Sequence, residues 1–288
     1  MKKSKICSLI LLLVTCFCTM AAAMVEPDEP YGALGRLSKL NVTDDELNEL
    51  LVDINAADKF TTKFIFYDSL NNMLMALNNG DIAAFTIDTF TADYVASRND
   101  KFVVRKPSRE TIDVPFSMLL REEDSELCSR ISEVIKEMKA DGSIDALKKE
   151  YIDDCIAGND PAPIKPSHFE GAQTIRVAVT GDRPPMDYIS TAGEPMGFNT
   201  ALIAEIASRL GLNVEIIGVE APARGISLAT GAADVVFWME KVNYGNYEGS
   251  DDREDQPDNT VVTENYLSSP NTYVVLANSP IADALDLP

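Results

Sequence analysis

Histidine is almost missing from this chain of 288 residues: His168 is the only one, and it lies in a stretch marked by Pro161, Pro163 and Pro166 that reads as a solvated linker. That removes histidine-based acid–base catalysis and histidine metal clusters. Cysteine is scarce as well, five in all, and Cys7, Cys16 and Cys18 crowd the N-terminus. The two in the body, Cys128 and Cys155, are too few for a disulfide scaffold and show no metal-ligand spacing, so neither a metal nor any other cofactor is expected. Positive charge is also short, with 25 Lys and Arg against 46 Asp and Glu. The net charge of −21 repels nucleic acid and anionic membrane surfaces, and nucleic acid is excluded as a partner. What remains is ordinary globular material, 45% hydrophobic and 25% charged, enough for one large core or two modest ones.

The N-terminus has the layout of an export signal over residues 1–23. Lys2, Lys3 and Lys5 precede the apolar run Ile6–Val14, too short to cross a bilayer, and Ala21-Ala22-Ala23 follows. Leu13-Val14-Thr15-Cys16 also resembles a bacterial lipobox, which would make Cys16 a lipidated first residue and give the protein a lipid anchor. Simple cleavage after Ala23 is the other reading. Either way the mature protein works outside the cytoplasm, in the periplasm or at the cell surface.

Two stretches repeat one pattern. Met75 to Phe85 and Ile226 to Phe237 each read as a helix stopped by a glycine, Gly80 or Gly231, followed by an apolar strand. Such pseudo-repeated α/β units suggest two similar lobes holding a small ligand between them. Thr43 and Glu46 make a capping box before Leu47, Leu50, Leu51 and Ile54 on one helical face. Lys63–Tyr67 reads as a strand, Asp68 or Ser69 caps a helix burying Leu70, Met73, Leu74 and Leu77, and Ala83–Ile87 is the next strand. Helices are expected over Ser125–Lys139 and Ser143–Asp154, placing Cys128 and Cys155 on either side of the turn at Ala140-Asp141-Gly142. These two either form a disulfide or remain separate buried thiols. After the linker come strands at Thr174–Val179, Val214–Ile217, Asp234–Met239 and Thr272–Ala277 and a helix over Asn199–Leu210, with a polar, acidic loop from Tyr244 to Asp258.

Residues 174–278 resemble the first lobe of the bacterial extracellular solute-binding proteins of the amino-acid-binding family (family 3). The resemblance rests on Arg183-Pro184-Pro185-Met186-Asp187-Tyr188, Gly197-Phe198-Asn199, Leu228-Ala229-Thr230-Gly231-Ala232-Ala233-Asp234 and Thr263-Glu264-Asn265-Tyr266. Residues 63–152 are similar to the second half of that family, through Tyr67-Asp68-Ser69-Leu70, Ala76-Leu77-Asn78-Asn79-Gly80, Asp88 and Met138-Lys139-Ala140-Asp141-Gly142. The resemblance implies an α/β, two-lobed, periplasmic-binding-protein-like (type II) fold with its lobes in circularly permuted order. Its segments are a second-lobe part over 24–116, C-terminal-type helices over 117–155 packing on the first lobe, a linker over 156–173 and a first-lobe part over 174–288. The family's next second-lobe strand would fall beyond Pro288. Either Tyr31–Leu40 replaces it, or the lobe is incomplete and another chain fills the gap in a strand-swapped dimer.

The resemblance also assigns a ligand site. The carboxylate that pairs with the ligand's ammonium matches Asp88, which is equally readable as an N-cap for the helix starting at Thr89. Arg183 and Met186 stand where the family has ligand-facing aromatics, and Arg183 is either a ligand clamp or a surface charge. The family's carboxylate-binding arginine is replaced by Trp238-Met239-Glu240-Lys241. Trp238 is then a stacking wall or a core residue, and Glu240 favours a cationic group. The implied function is an extracytoplasmic, non-enzymatic protein delivering a small polar or cationic, amino-acid-like solute to the membrane permease of an ABC transporter. Alternatives are an extracellular sensory input domain for a signalling partner, and a dehydratase-like enzyme on the same scaffold.

Overall fold

The computed structural model describes residues 34–37, 64–106, 113–239 and 256–279. The export signal with Cys16, the capping-box helix, Glu240 and the segment around Ala284–Leu287 lie outside the described residues, and Trp238 is described only as part of a strand.

Thirteen strands occur among the described residues: β1 Leu34–Leu37, β2 Phe64–Tyr67, β3 Ala84–Asp88, β4 Phe102–Arg105, β5 Asp113–Arg121, β6 Thr174–Val179, β7 Asp182–Arg183, β8 Asp187–Ile189, β9 Pro195–Met196, β10 Asn213–Gly218, β11 Val235–Met239, β12 Thr260–Val262 and β13 Leu267–Leu276. The helices are α1 Leu70–Asn79, α2 Thr89–Arg98, α3 Ser125–Ala140, α4 Ser143–Lys148, α5 Phe198–Leu210 and α6 Ala223–Ala229; after α4 the chain keeps winding through a wider turn over Lys149–Asp153 to Asp154–Ile156. The main sheet runs β10-β6-β11-β5-β13-β3-β1-β2, with β12 on β5 and β4 on β13, while β7, β8 and β9 form a small sheet of their own.

The pairing divides this sheet into two parallel blocks. β10, β6 and β11 run parallel at one end and β3, β1 and β2 at the other. Between them β5 and β13 pair antiparallel with each other and with their neighbours. β13 pairs through Leu267–Pro270 with β5 and through Asn271–Val275 with β3, so one strand belongs to both blocks. Each block has its own core. One gathers Met73, Leu77, Phe85 and Val274, the other Met118, Ile131, Ile135, Val177, Leu202 and Phe237. Helix α3 buries Ile131, Val134, Ile135 and Met138 in the second core, beside α5 and the strands of residues 174–239.

Local chemistry explains the helix limits. The Ser69 hydroxyl accepts from the Asn72 amide at 3.2 Å and starts α1, whose buried Leu70, Met73, Ala76 and Leu77 recur at helical spacing. Gly80, at φ 81°, ends it by letting the Asp81 amide reach back to the Ala76 carbonyl at 2.9 Å.

Two readings left open in the sequence are decided here, and a strand crosses one expected segment boundary. Of the two readings for the open strand position, replacement from within Tyr31–Leu40 is the one seen, since β1, Leu34–Leu37, lies parallel between β2 and β3. The boundary drawn between residues 116 and 117 falls inside the continuous strand β5. Cys128 and Cys155 are both free and buried, so the disulfide considered for them is absent. Cys128 packs in the core beneath α3, whereas the Cys155 thiol faces the Asp160 carboxylate at 4.0 Å, and burial pushes both thiols up from their ordinary pKa.

One exposed contact carries a pH signature. Asp141, at the α3–α4 turn, accepts from the Ser143 amide at 2.9 Å and from Arg209 of α5 at 2.8 Å. The Ser143 side chain and Arg209 lower its pKa from 3.8 to about 2. Because the folded pKa is depressed, this contribution is complete above the unfolded value and is lost as pH falls through the window from 3.8 to about 2. Asp141→Asn should flatten the stability profile across that window in urea titrations. An unchanged acid limb would remove Asp141 from the account.

Candidate functional site

A buried polar centre lies where β3, α2, β7, β8, α5 and the turn before β13 converge. Asp88, fully buried, ends β3 and caps α2: one carboxylate oxygen accepts from the Thr91 amide at 2.9 Å and the other from the Thr91 hydroxyl at 2.9 Å. The second oxygen also accepts from Nη2 of Arg183 at 2.8 Å. Arg183 is itself buried. Desolvation works against its charge, but the Asp88 and Asp187 carboxylates outweigh that and raise its pKa above the usual value.

Asp187 takes the centre further. One of its oxygens accepts from the Thr180 amide at 3.1 Å and hydroxyl at 2.8 Å, the other from the side-chain amide of Asn199 at 2.8 Å. The Asn199 carbonyl in turn accepts from the Tyr266 hydroxyl at 3.0 Å. Burial, then the nearby Asp187 charge, raises the Tyr266 pKa well above 10.0, so the phenol stays a donor. Phe116, Phe198 and Phe237 surround its ring with centroids 6.0–6.2 Å away. The Asp187–Asn199–Tyr266 bonds lie in these apolar surroundings, which fixes the position of each of the three side chains.

Gly197 makes the arrangement sterically feasible. Its backbone (φ 99°, ψ 170°) is one that only glycine adopts readily, and a Cβ there would stand 2.5 Å from the Met186 carbonyl oxygen and 2.7 Å from that of Pro185. The same two carbonyls accept from the first amides of α5, Met186 from Asn199 at 2.7 Å and Pro185 from Phe198 at 2.9 Å. The chain therefore folds so closely on itself that Asn199 meets Asp187.

A second polar contact lies beside the first. Asp182, next to Arg183 in β7, accepts from the Asn71 amide in the first turn of α1 at 3.3 Å. Burial raises its pKa, and the Asn71 and Leu70 amides work in the opposite direction. Nearby, the Ala221 amide donates to the Asp68 carbonyl at 3.3 Å.

Of the residues singled out in the sequence, Asp88 and Arg183 are brought together, facing each other directly. Asp88 is the N-cap of α2 as one of its two readings held, and Arg183 is not a surface charge. Met186 is a core residue, 1% exposed and packed with Phe198 and its neighbours. Trp238 lies in β11, opposite Ser117 of β5, and Glu240 falls outside the described residues. Asp182, Asp187, Asn199 and Tyr266 were assigned no role. Asp187 and Asn199 sit beside Pro184-Pro185 and Gly197, and that punctuation around polar residues was the available signal.

Among the described residues no group of acidic, cysteine or histidine side chains is placed to hold a metal ion, and no helix is long and apolar enough to cross a membrane. Residues 175–280 match the family of bacterial extracellular solute-binding proteins, family 3; the matched stretch runs from β6 through β13 and covers less than half of the chain. No relative is found among curated proteins. Similar solved structures include the GluR0 ligand-binding core in complex with L-glutamate (12% identity over 90% of this chain and 90% of that one, TM-score 0.43). The GluR0 core from Nostoc punctiforme, also with (L)-glutamate, is similar at 13% identity over 88% and 89%, TM-score 0.39. The VFT2 domain of Bordetella pertussis BvgS is similar at 10% identity over 90% and 86%, TM-score 0.43.

Proposed function

We propose that the whole chain, and not only its residues 175–280, is built as an exported solute-binding protein of the family those residues match, with its two halves in exchanged order. The observation that carries the reading is the family match over β6–β13. Two features of the fold support it. β5 and β13 link two parallel blocks, as a two-lobed binder requires, and β1 completes the block that the sequence left one strand short. The N-terminal Lys2, Lys3 and Lys5 with the apolar run behind them support export.

The solute site in this reading is the polar centre around Asp88, which offers a cationic group a desolvated carboxylate. The solute is small, polar or cationic and amino-acid-like, and the partner receiving it is a membrane permease. Binding closes one block on the other, and the permease reads the shift in population.

A thermal-shift screen over amino acids, polyamines and small peptides tests this. A true solute at about a hundred times its Kd adds about 2.7 kcal/mol, which for a protein of this size raises Tm by about 4–5 °C. Absence of a shift for every class, in the protein with its internal contacts loosened as described next, removes the solute-binding reading.

A further inference from the structure

The dipeptide Asp182-Arg183 presents two opposite charges side by side, and both are engaged. Arg183 donates to Asp88 at 2.8 Å, on the β3–α2 side of the molecule. Asp182 accepts from the Asn71 amide at 3.3 Å, at the N-terminus of α1 on the same side, where the helix dipole favours a negative group. β7 itself belongs to the other side: it pairs with β8, whose Asp187 is tied to Asn199 of α5. The strand therefore reaches across and places a cation on a buried carboxylate and a carboxylate on a helix N-terminus. Those are the two complementary charges that a free zwitterion would bring.

We propose that Asp182-Arg183 is a built-in, tethered zwitterion that occupies the solute site and holds the two blocks together, so that an incoming amino-acid-like solute binds only by displacing it. This rests on the solute-binding reading for the identity of the site, but not for the contact itself. Asp88 has little capacity left for a solute in this state. Its two oxygens already accept three hydrogen bonds, two from Thr91 and one from Arg183, and it is fully buried. Taking a desolvated cation from such a carboxylate is costly unless another cation replaces it. The Asp68–Ala221 backbone bond joins the same two sides but carries no net charge and could not replace a ligand.

The test measures distance first and affinity second. Met75 on α1 and Ile226 on α6 are exposed positions on the two sides, 64% and 67% accessible, and suit spin labels through Met75→Cys and Ile226→Cys in a chain with Cys7, Cys16 and Cys18 changed to Ser, Cys128 and Cys155 being buried. The otherwise unchanged protein should give one narrow distance distribution. The Asp182→Asn/Arg183→Met variant should give a longer and broader one, with unchanged circular dichroism. Should that variant not fold, Asp182→Asn alone, at a half-buried position, loosens the contact from the α1 end and the same shift is expected. An unaltered distribution in a folded variant overturns the proposal.

Calorimetry with L-arginine, L-lysine and L-glutamate then separates the two readings. Apparent affinity scales with the fraction of open molecules, so a site closed in nine of ten molecules or more should gain about tenfold or better when opened. Equal binding of any of these probes to both proteins overturns the tethered occupant. Lengthened distances with no probe bound by either protein uphold the tethered contact and count against solute binding alone.

Discussion

Asp88→Asn is expected to lower folding stability by about 3–5 kcal/mol, the cost of leaving a buried charge without its partner. The loss falls on Arg183, which is 7% exposed and has Asp88 as its hydrogen-bonded counter-ion. Arg183→Met should cost less, because Asp88 would still accept from the Thr91 amide and hydroxyl at 2.9 Å each. The pair changed together should be more stable than Asp88→Asn alone, since residues in direct contact do not add. Urea unfolding of the four proteins closes this cycle. Additive losses would show that the 2.8 Å contact carries no coupling and would relegate Asp88 to a helix cap.

Gly197→Ala is the second large effect. The substitution must hold a backbone conformation that side chains other than glycine's avoid, at about 1–3 kcal/mol. It must also move two backbone carbonyls, those of Met186 and Pro185, that already bond to α5, for a further loss of about 1–3 kcal/mol. Together these put the expected destabilisation at about 2–6 kcal/mol. The damage should not stop at stability, because the displaced start of α5 carries Asn199 and with it the Asp187–Asn199–Tyr266 bonds. A variant that unfolds at the original urea midpoint would show that the crowding relaxes elsewhere.

Where structure follows from local chemistry, the sequence was legible. α1 is an instance: apolar residues at helical spacing, a serine to start it and a glycine to stop it are all visible in the primary structure. The first half of β13 was not. The expected strand begins only at Thr272, yet Leu267–Pro270 is strand as well because β5 supplies the pairing and Ser269 is buried, its hydroxyl accepting from the Thr89 amide at 3.1 Å. β5 escaped notice for a related reason, since a short apolar run such as Phe116–Leu120 has no period that separates a buried strand from a helix turn.

The candidate site was half legible. Asp88 and Arg183 were each picked out, but their contact spans 95 residues and neither neighbourhood encodes it. The same is true of Asp187, whose partners become intelligible only once Gly197 brings α5 against the carbonyls of residues 185 and 186. An ion pair between distant segments is a property of topology, and topology here depends on a crossover strand that local patterning hides.

That crossover strand also orders events in time. A ribosome makes β1 through β12 before it reaches β13, so both parallel blocks exist as chain before the segment that joins them. Until then β3 lacks its antiparallel neighbour, β4 has nothing to pair with, and half of β5 offers an unpaired edge. A nascent chain halted before Leu267 would therefore carry sticky, unfinished sheet margins rather than one finished half and one missing half. A seam that is synthesised so late delays compaction until most of the chain has been made.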